Sequence, residues 1–304
     1  MTAAARNRAA FDPASAPPAA ERALTGHSGA SVVLHTSGLN SFVRKTAERP
    51  EMNTRLTSQA EKQRMLRMLG LPFPRVFMQG EDCLGRASFD MEYIPGRSIA
   101  AAVGDAASFD PLLVVTAVER MAWLFSSTAG DDLDAALFVR KIDGIARHGA
   151  ADPSLAAEIE ACARLLGAQD WRGIPASSCH GDLTLENILL KSDRSIVFID
   201  CDETFASSFW LDFAKLFQDI SGHWCIRELY AADAPPVHRV NAIQKLDQLG
   251  ARLRALAAGI DPALAARLPQ LASLGLFRAI PYAKDPALVA FLCGRIGCLL
   301  GQRP

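Results

Sequence analysis

The sequence has no uninterrupted run of 18 apolar residues, so we expect no membrane-spanning helix. It also has no excess of charge of either sign, because 32 lysines and arginines face 33 aspartates and glutamates, for a net charge of −1. No basic block is long enough to form a nucleic-acid-binding surface. We therefore expect a protein that binds neither a membrane nor a nucleic acid.

The cysteines also lack a pattern, since all seven are scattered and none belongs to a Cys-x-x-Cys pair. This favours reduced thiols in a cytoplasmic protein over a disulfide or zinc framework. Residues 1–21 are rich in Ala, Pro and Arg but lack the continuous apolar core of a signal peptide. We expect a disordered leader there.

Half of the 304 residues are hydrophobic, which is enough to bury a sizeable core in one large or two modest domains. The most informative stretch is 178–203. Within it, a polar turn at 191–194 separates the apolar run Ile188–Leu190 from the β-branched and aromatic run Ile196–Ile199. Two such runs joined by a turn predict a β-hairpin.

Three oxygen-bearing side chains flank this hairpin. Asp182 and Asn187 precede the first strand and Asp200 follows the second, so the hairpin places all three at one end. Carboxylate and amide oxygens suit a hard cation such as Mg²⁺, which keeps waters and completes its shell with phosphates. An isolated Asp-x-x-x-x-Asn occurs in ordinary turns, but here His-Gly precedes it and Asp200 follows Asp182 by eighteen residues.

The pattern His-x-Asp-x-x-x-x-Asn, followed by a strand and an Asp, resembles that of the protein-kinase-like fold. His-Gly-Asp at 180–182 and Ile-Asp-Cys-Asp at 199–202 are similar to the aminoglycoside phosphotransferase and choline kinase family, which phosphorylates small molecules. The resemblance implies an α+β, two-lobed protein-kinase-like fold. We expect a small β-rich N-lobe at 22–95 and a larger, mostly helical C-lobe at 96–304.

The same resemblance implies roles for individual residues. Asp182 matches the catalytic base that accepts the proton of the substrate hydroxyl, and Asn187 and Asp200 match the Mg²⁺ ligands. His180 matches a structural histidine that supports the loop. Asp212 matches an Asp that hydrogen-bonds the backbone of the catalytic loop; the alternative is a charge favoured near a helix N-terminus.

In the N-lobe, a small-residue turn at 26–31 leads into a β-branched strand, and its glycines permit close approach of a phosphate. We interpret Ser28, Gly29 and Ala30 as a nucleotide-covering loop, although an ordinary hairpin turn has the same composition. On the next strand, Lys45 resembles the lysine that holds the α- and β-phosphates. A solvated charge at a strand end is the alternative.

An apolar stripe predicts a helix at 54–69, followed by a stop at Gly70. Glu61 is the only carboxylate within this helix. The resemblance therefore makes Glu61 the partner of Lys45, and a surface glutamate is the alternative.

The strand that ends at Glu92, Tyr93 and Ile94 is similar to the hinge between the lobes of small-molecule kinases. Backbone groups of that hinge pair with the adenine edge. The cofactors implied are ATP or GTP with Mg²⁺.

Beyond residue 97 the pattern is helical, and four Asp-Pro pairs indicate helix starts, because the Asp oxygen accepts N–H groups and Pro has none to lose. The pairs begin at Asp110, Asp152, Asp261 and Asp285. The predicted helices span 111–128, 153–167, 210–221, 240–258, 262–273 and 286–299.

Residues just after the metal loop are the candidates for lining the acceptor pocket: Asp202, Glu203, His223 and Trp224. Acidic groups suit an aminoglycoside or amino-alcohol. Aromatic and polar groups in a nearly neutral chain suit a sugar or polyol instead, which we favour. The sequences of these motifs also resemble those of phosphotransferases associated with surface-polysaccharide metabolism.

Two other classes of protein fit parts of the pattern. A protein kinase would carry Asp-Phe-Gly and a segment bounded by Ala-Pro-Glu, and neither is present. A nucleotide-binding pseudokinase that acts as an interaction module would not need Lys45, Glu61, Asp182, Asn187 and Asp200 together. We therefore predict an ATP-dependent kinase that acts on a hydroxyl of a small molecule.

Overall fold

The computed structural model describes residues 20–24, 30–37, 40–105, 109–149, 152–202, 205–230, 235–283 and 285–301. The chain divides into two units. The N-terminal unit comprises Met1–Arg64 and Pro74–Tyr93, and the C-terminal unit comprises Met65–Phe73 and Ile94–Pro304.

The N-terminal unit is built on an antiparallel five-stranded sheet with the strand order β1-β2-β3-β5-β4. Side chains alternate between the two faces of β3, so that Val43 and Lys45 are buried while Arg44 points away and forms an ion pair with Asp90 of β5 at 2.7 Å. The strands are Ala20–Leu24 (β1), Ala30–Ser37 (β2), Asn40–Ala47 (β3), Val76–Glu81 (β4) and Ala87–Glu92 (β5).

Helix α1, Asn53–Met68, supplies the other part of this unit's core. Leu56 and Ala60 lie one turn apart on the helix and are buried together with Phe89 and Met91 of the sheet. The predicted helix at this position is confirmed to within one residue at each end.

The C-terminal unit is mostly helical and contains a second antiparallel sheet with the order β6-β7-β8. The predicted hairpin is present in this sheet, with Ile188 paired to Phe198. The strands are Gly96–Ser98 (β6), Ile188–Lys191 (β7) and Ile196–Phe198 (β8). The helices are Ile99–Gly104 (α2), Pro111–Ser126 (α3), Ala135–Gly149 (α4), Ala156–Gly167 (α5), Phe209–Ile220 (α6), Pro236–Ile260 (α7), Pro262–Ala266 (α8), Leu268–Ala279 (α9) and Pro286–Leu299 (α10). The small sheet-rich unit and the larger helical unit confirm the predicted α+β class and protein-kinase-like fold.

Helix α6 lies in the core of the C-terminal unit, since ten of its twelve residues are buried, including Trp210 and Phe213. It packs extensively against α9. Gly275 of α9 permits this approach, because a Cβ at that position would lie 2.2 Å from Oε1 of Gln218. The position of α6 is thus fixed on its apolar side, which also fixes the charged side chains it carries.

Three of the four Asp-Pro pairs act as predicted. The carboxylates of Asp110, Asp261 and Asp285 each accept a backbone N–H in the first turn of α3, α8 and α10. Asp152 instead accepts the N–H and hydroxyl of Ser154 in a separate turn, so α5 begins later than predicted. None of the helices in the described parts of the chain is both long and apolar enough to cross a bilayer.

Two helix predictions need correction. The predicted helix at 262–273 is divided into α8 and α9, and Pro269 near the start of α9 cannot donate a hydrogen bond back into α8. The short helix α2 was not predicted, and neither was α4. The start of α4 is marked by Asp134 alone, whose carboxylate accepts the N–H of Ala136 at 2.9 Å.

Candidate active site

The loop before β7 is anchored by His180, which is fully buried in the C-terminal unit. Its ring stacks on Phe73, with centroids 5.6 Å apart, and meets Phe198 of β8 edge-on at 6.3 Å. Its Nδ1 accepts the backbone N–H of Asp182 at 3.3 Å. Gly181 lies between them with φ of 97°, a backbone conformation in which a side chain would be strained. The histidine therefore fixes the direction in which the loop leaves the core.

Asp212, in the first turn of α6, holds the same loop by its backbone. One carboxylate oxygen accepts the N–H of His180 at 2.6 Å, and the other accepts the N–H of Gly181 at 2.8 Å. Asp212 is only 3% exposed, so these charge-assisted bonds form away from water.

Asp219, two turns further along α6, holds the loop at a second point. Its Oδ2 accepts the N–H of Leu185 at 2.6 Å. Burial raises the pKa of this carboxyl to about 7, although the hydrogen bond from Leu185 acts in the opposite direction. Its Oδ1 has no hydrogen-bond partner among the described residues. Loop and helix are therefore joined at both ends of the segment that contains Asp182.

The carboxylate of Asp182 forms an ion pair with Lys215 of α6, and Oδ1 lies 2.9 Å from Nζ. Burial is the largest single influence and would raise the pKa of Asp182, but the charge and hydrogen bond of Lys215, together with the charges of Arg278 and His180, lower it overall. For Lys215 itself, burial is the larger effect and lowers the pKa of the amine, while Asp182 opposes that shift. The ion pair thus favours the ionised carboxylate, the form that can accept a proton.

Lys215 was missed by sequence reasoning, although the sequence contains a signal for it. Asp212, Lys215 and Asp219 have the spacing i, i+3 and i+7, which places them on one face of a helix. They are the charged residues of an otherwise largely apolar helix. All three face the catalytic loop and contact it at three successive places.

Asn187, one of the two predicted metal ligands, is hydrogen-bonded to the predicted base, Asp182. Its side-chain N–H₂ donates to the backbone oxygen of Asp182 at 2.8 Å and to Oδ2 of the same residue at 3.2 Å. Both bonds use the amide nitrogen, so neither occupies the amide oxygen, the atom that the predicted metal-ligand role requires. The backbone oxygen of Asn187 accepts the N–H of Ile199, the residue before Asp200.

Asp200 has a φ of 60°, which is uncommon for a residue other than glycine and marks a constrained backbone. Residues on both sides of it are bonded to the catalytic loop, since Asp202 donates its N–H to the backbone oxygen of His180 at 3.0 Å. An amide oxygen and a carboxylate at neighbouring places in this hairpin fit Mg²⁺, which takes few protein ligands.

In the N-terminal unit, Lys45 is 4% exposed and its amine donates to Oε1 of Gln59 on α1 at 3.3 Å. Glu61 lies on the exposed side of the same helix. The predicted pairing of Lys45 with Glu61 is therefore wrong. Two residues correspond to about 200° of rotation around a helix, so Gln59 and Glu61 cannot both face the sheet.

The other residues predicted to contact the nucleotide are Ser28, Gly29, Ala30, Glu92, Tyr93 and Ile94. Ser28 and Gly29 are outside the described residues, while Ala30 begins β2 and is buried. Glu92 ends β5, where its N–H donates to the backbone oxygen of Arg75 at 2.8 Å and its carboxylate accepts the N–H of Arg75.

Tyr93 and Ile94 come directly after β5. Tyr93 is the last residue of the N-terminal unit and packs against its core, and Ile94 is the first residue of the following part of the C-terminal unit. Their contact with adenine remains a prediction.

Of the four residues predicted to line an acceptor pocket, three lie among the described residues, and their role in a pocket remains a prediction. Glu203 lies outside the described residues. His223 is buried, its Nδ1 is hydrogen-bonded to the hydroxyl of Tyr230, and burial lowers its pKa to about 4. The guanidinium of Arg227 covers the ring of Trp224 at 4.3 Å. Asp202 is half-buried next to the catalytic loop, and its role remains a prediction.

The fold and this loop define a class of protein, the phosphotransferases with a protein-kinase-like fold. Residues 20–234 match the sequence profile of the phosphotransferase enzyme family, and the chain belongs to that family. It is a phosphotransferase, a kinase that acts on hydroxyl groups of small molecules. In a comparison of sequences, no curated protein matches the chain.

Several solved structures share the fold. One is the aminoglycoside phosphotransferase APH(3'')-Id from Streptomyces rimosus ATCC10970, with 20% identity, a TM-score of 0.51, and 83% of this chain and 92% of that chain covered. Another is a thermostable variant of aminoglycoside phosphotransferase APH(4)-Ia in ternary complex with ADP and hygromycin B, with 13% identity and a TM-score of 0.60. The alignment with it covers 95% of each chain.

Proposed function

We propose that this phosphotransferase moves the γ-phosphate of ATP, or of GTP, to a hydroxyl of a small sugar or polyol. The observation that carries the proposal is the environment of Asp182. This carboxylate is held ionised by Lys215 and is oriented by Asn187, in a loop anchored by His180. A group in that state can accept the proton of an alcohol.

Phosphoryl transfer depends mainly on the position of the attacking oxygen and on the stabilisation of charge, with the proton leaving late. Asp182 would orient the acceptor hydroxyl and take its proton. Asn187 and Asp200 would hold Mg²⁺, whose charge would offset that of the phosphates. The three contacts of α6 with the loop would keep Asp182 in place during the reaction.

In the N-terminal unit, Lys45 would bind the nucleotide phosphates, as the resemblance implies. Its burial and its bond to Gln59 support this role, because a buried amine held at a fixed place can act as a local charge. Gln59, rather than Glu61, would then orient the lysine.

An aminoglycoside or amino-alcohol is the second candidate acceptor. It is favoured by the structural similarity to an aminoglycoside phosphotransferase that was solved with hygromycin B. A protein kinase and a non-catalytic nucleotide-binding module are further alternatives that the same experiment separates.

The test measures ADP release from Mg-ATP and Mg-GTP with sugars, polyols, amino-alcohols, aminoglycosides and a protein substrate. Binding of nucleotide is measured in parallel from the melting temperature, which should rise with millimolar Mg-nucleotide because the ligand binds the folded state. Release of ADP that depends on a sugar or polyol supports the proposal. Nucleotide binding without release of ADP for any acceptor would favour the non-catalytic module.

Asp182→Asn keeps the shape of the side chain and removes the base. We expect kcat to fall by about 10²–10⁴, the usual value of a positioned base, with little change in nucleotide Kd. Asp200→Asn should weaken Mg-nucleotide binding as well as turnover. Asp247→Asn, at an exposed position of α7, is the matched control and should leave both quantities unchanged. Turnover near the wild-type level in Asp182→Asn would refute the assignment of the base.

A further inference from the structure

The C-terminal unit contains a cavity of about 50 Å³ beside α6, and two cationic side chains line it. Lys141 comes from α4 and Arg278 from α9, with Phe205 and Gln218 among the other lining residues. Since a water molecule needs on the order of 10–15 Å³ of such space, the cavity holds a few waters. That is the size of a carboxylate or a phosphate group, so the remainder of a larger ligand would lie outside it.

The two cations are close to each other and have no acidic partner in the described parts of the chain. No carboxylate there lies within 4.0 Å of Lys141 or Arg278 to form an ion pair. Burial, and then the charge of Arg278, lower the pKa of Lys141, so the amine is held in a place that disfavours its charge. Its amine lies over the ring of Phe205, with Nζ 5.7 Å from the centroid. A bound anion would remove this electrostatic cost.

Gln218 adds a neutral polar group to the same cavity. It is 5% exposed, and its Oε1 has no hydrogen-bond partner among the described residues. Gly275 leaves no room for a Cβ against this amide, which restricts its position. A buried amide oxygen without a partner is costly, and a ligand hydroxyl could donate to it.

The cavity adjoins the proposed base through α6. Leu211, Ala214 and Gln218 line it, and each is one residue before a side chain that holds the catalytic loop. One residue corresponds to about 100° around a helix, so the two stripes are adjacent. Arg278 also lies close enough to lower the pKa of Asp182. A molecule with one end in the cavity can therefore present another part to Asp182.

We propose that the acceptor is an anionic sugar or polyol, with its carboxylate or phosphate bound by Lys141 and Arg278 and a hydroxyl bonded to Gln218. A second hydroxyl is the one phosphorylated. Its oxygen forms a bond to the γ-phosphorus, the bond from that phosphorus to the bridging oxygen of ATP breaks, ADP leaves and the proton passes to Asp182. This inference rests on the proposed function. It disfavours aminoglycosides, because the two cations repel a polycation.

The test compares four acceptors that share one carbon skeleton: glucose, glucuronate, glucose 6-phosphate and glucosamine. We expect kcat/KM from ADP release to be highest for one of the two anions and lowest for glucosamine. For an acceptor that is bound but not turned over, the melting temperature of the full chain with Mg-ADP should rise with the anions and not with glucose. Comparison of glucuronate with glucose 6-phosphate distinguishes a carboxylate from a phosphate.

Lys141→Met and Arg278→Met should each reduce kcat/KM for the preferred anion by roughly tenfold to 100-fold, because this is the usual value of a hydrogen bond to a charged group. Where the anion is bound but not turned over, the affinity read from the melting temperature should fall by the same factor. Glucose should be little affected. Lys141→Arg and Arg278→Lys keep the charge and should restore most of the effect, which excludes a loss caused by misfolding. Arg140→Met removes an exposed cation adjacent to Lys141 and should change nothing.

Equal or better use of glucosamine, or Met variants with unchanged preference, would overturn the inference. So would the absence of any turnover or melting-temperature response with both anions. Failure of the proposed function gives a different result, namely no response to Mg-nucleotide and no release of ADP with any acceptor. Glu203 lies outside the described residues, and Glu203→Gln tests whether it neutralises the cavity. A large gain in anion preference in that variant would also count against the inference for the native chain.

Discussion

Removal of Lys215 provides the sharpest test of how this structure controls its base. Lys215→Gln removes the main cation beside the half-buried Asp182, so burial outweighs the weaker effect of Arg278 and the pKa of Asp182 rises. The base is ionised only above that pKa. Activity should therefore be lost mainly on the acidic side of the pH profile and be recovered largely at high pH.

The magnitude follows from the 2.9 Å between Nζ of Lys215 and Oδ1 of Asp182. At an effective dielectric constant of 20, two unit charges at this distance attract by about 6 kcal/mol. The Asp182 side chain is 37% exposed, so solvent screening reduces the usable part. We therefore take the stabilisation of the Asp182 carboxylate by Lys215 as roughly 1–3 kcal/mol, between the values of exposed and buried ion pairs. We therefore expect the acidic limb of kcat/KM to move up by about 1–2 pH units.

The assay is kcat/KM from ADP release with a turned-over acceptor, measured from about pH 3, below the reference pKa of an aspartate, to about pH 9. The melting temperature is measured at each pH. Lys215→Arg keeps the positive charge and should keep the acidic limb near its wild-type position. Lys191→Gln removes a lysine from an exposed ion pair with Asp193 and serves as the control. A uniform loss of activity at every pH, without displacement of the acidic limb, would refute the reasoning and leave Lys215 with a purely structural role.

Two further predictions concern other buried polar groups. Lys45→Ala should weaken nucleotide binding, and Gln59→Ala should do so to a smaller extent. Glu61→Ala should leave the nucleotide Kd unchanged because Glu61 is exposed. A loss of affinity in Glu61→Ala equal to that in Gln59→Ala would contradict this prediction. Burial raises the pKa of Asp219 to about 7, so the folded state holds a proton that the unfolded state loses near pH 4, and stability falls as the pH rises from about 4 to 7. Asp219→Asn, which can still accept the N–H of Leu185, should flatten the dependence of melting temperature on pH over that range; an unchanged slope would assign the dependence to other groups.

The class of fold and the type of enzyme could be predicted from the sequence, because their signals are local. The loop at 180–187 and the hairpin after it lie within 21 residues of each other, from His180 to Asp200. Alternating apolar runs, a turn and fixed spacings specify such a segment with no knowledge of the rest of the chain. The family match and the two units confirm the fold class and the phosphotransferase activity.

Errors arose where the answer depended on which face of a helix meets its neighbour. Glu61 was chosen as the partner of Lys45 by residue type, but the rotation of α1 brings Gln59 to the lysine instead. This error is physical in origin, since residue type does not determine which face of a helix meets the sheet.

The sequence by itself determined the hairpin, the spacing of Asp182, Asn187 and Asp200, and three of the four helix starts with an Asp-Pro pair, because each depends on contacts between near neighbours in the chain. Only the tertiary structure decided what surrounds the base. Lys215 reaches Asp182 from 33 residues further along the chain because α6 is fixed by the packing of its apolar side against α9. Lys141 and Arg278 are 137 residues apart and meet at one cavity for the same reason. The charges of the proposed acceptor site come together only when distant helices pack, because the energy that brings them together comes from the apolar core and not from the charges themselves.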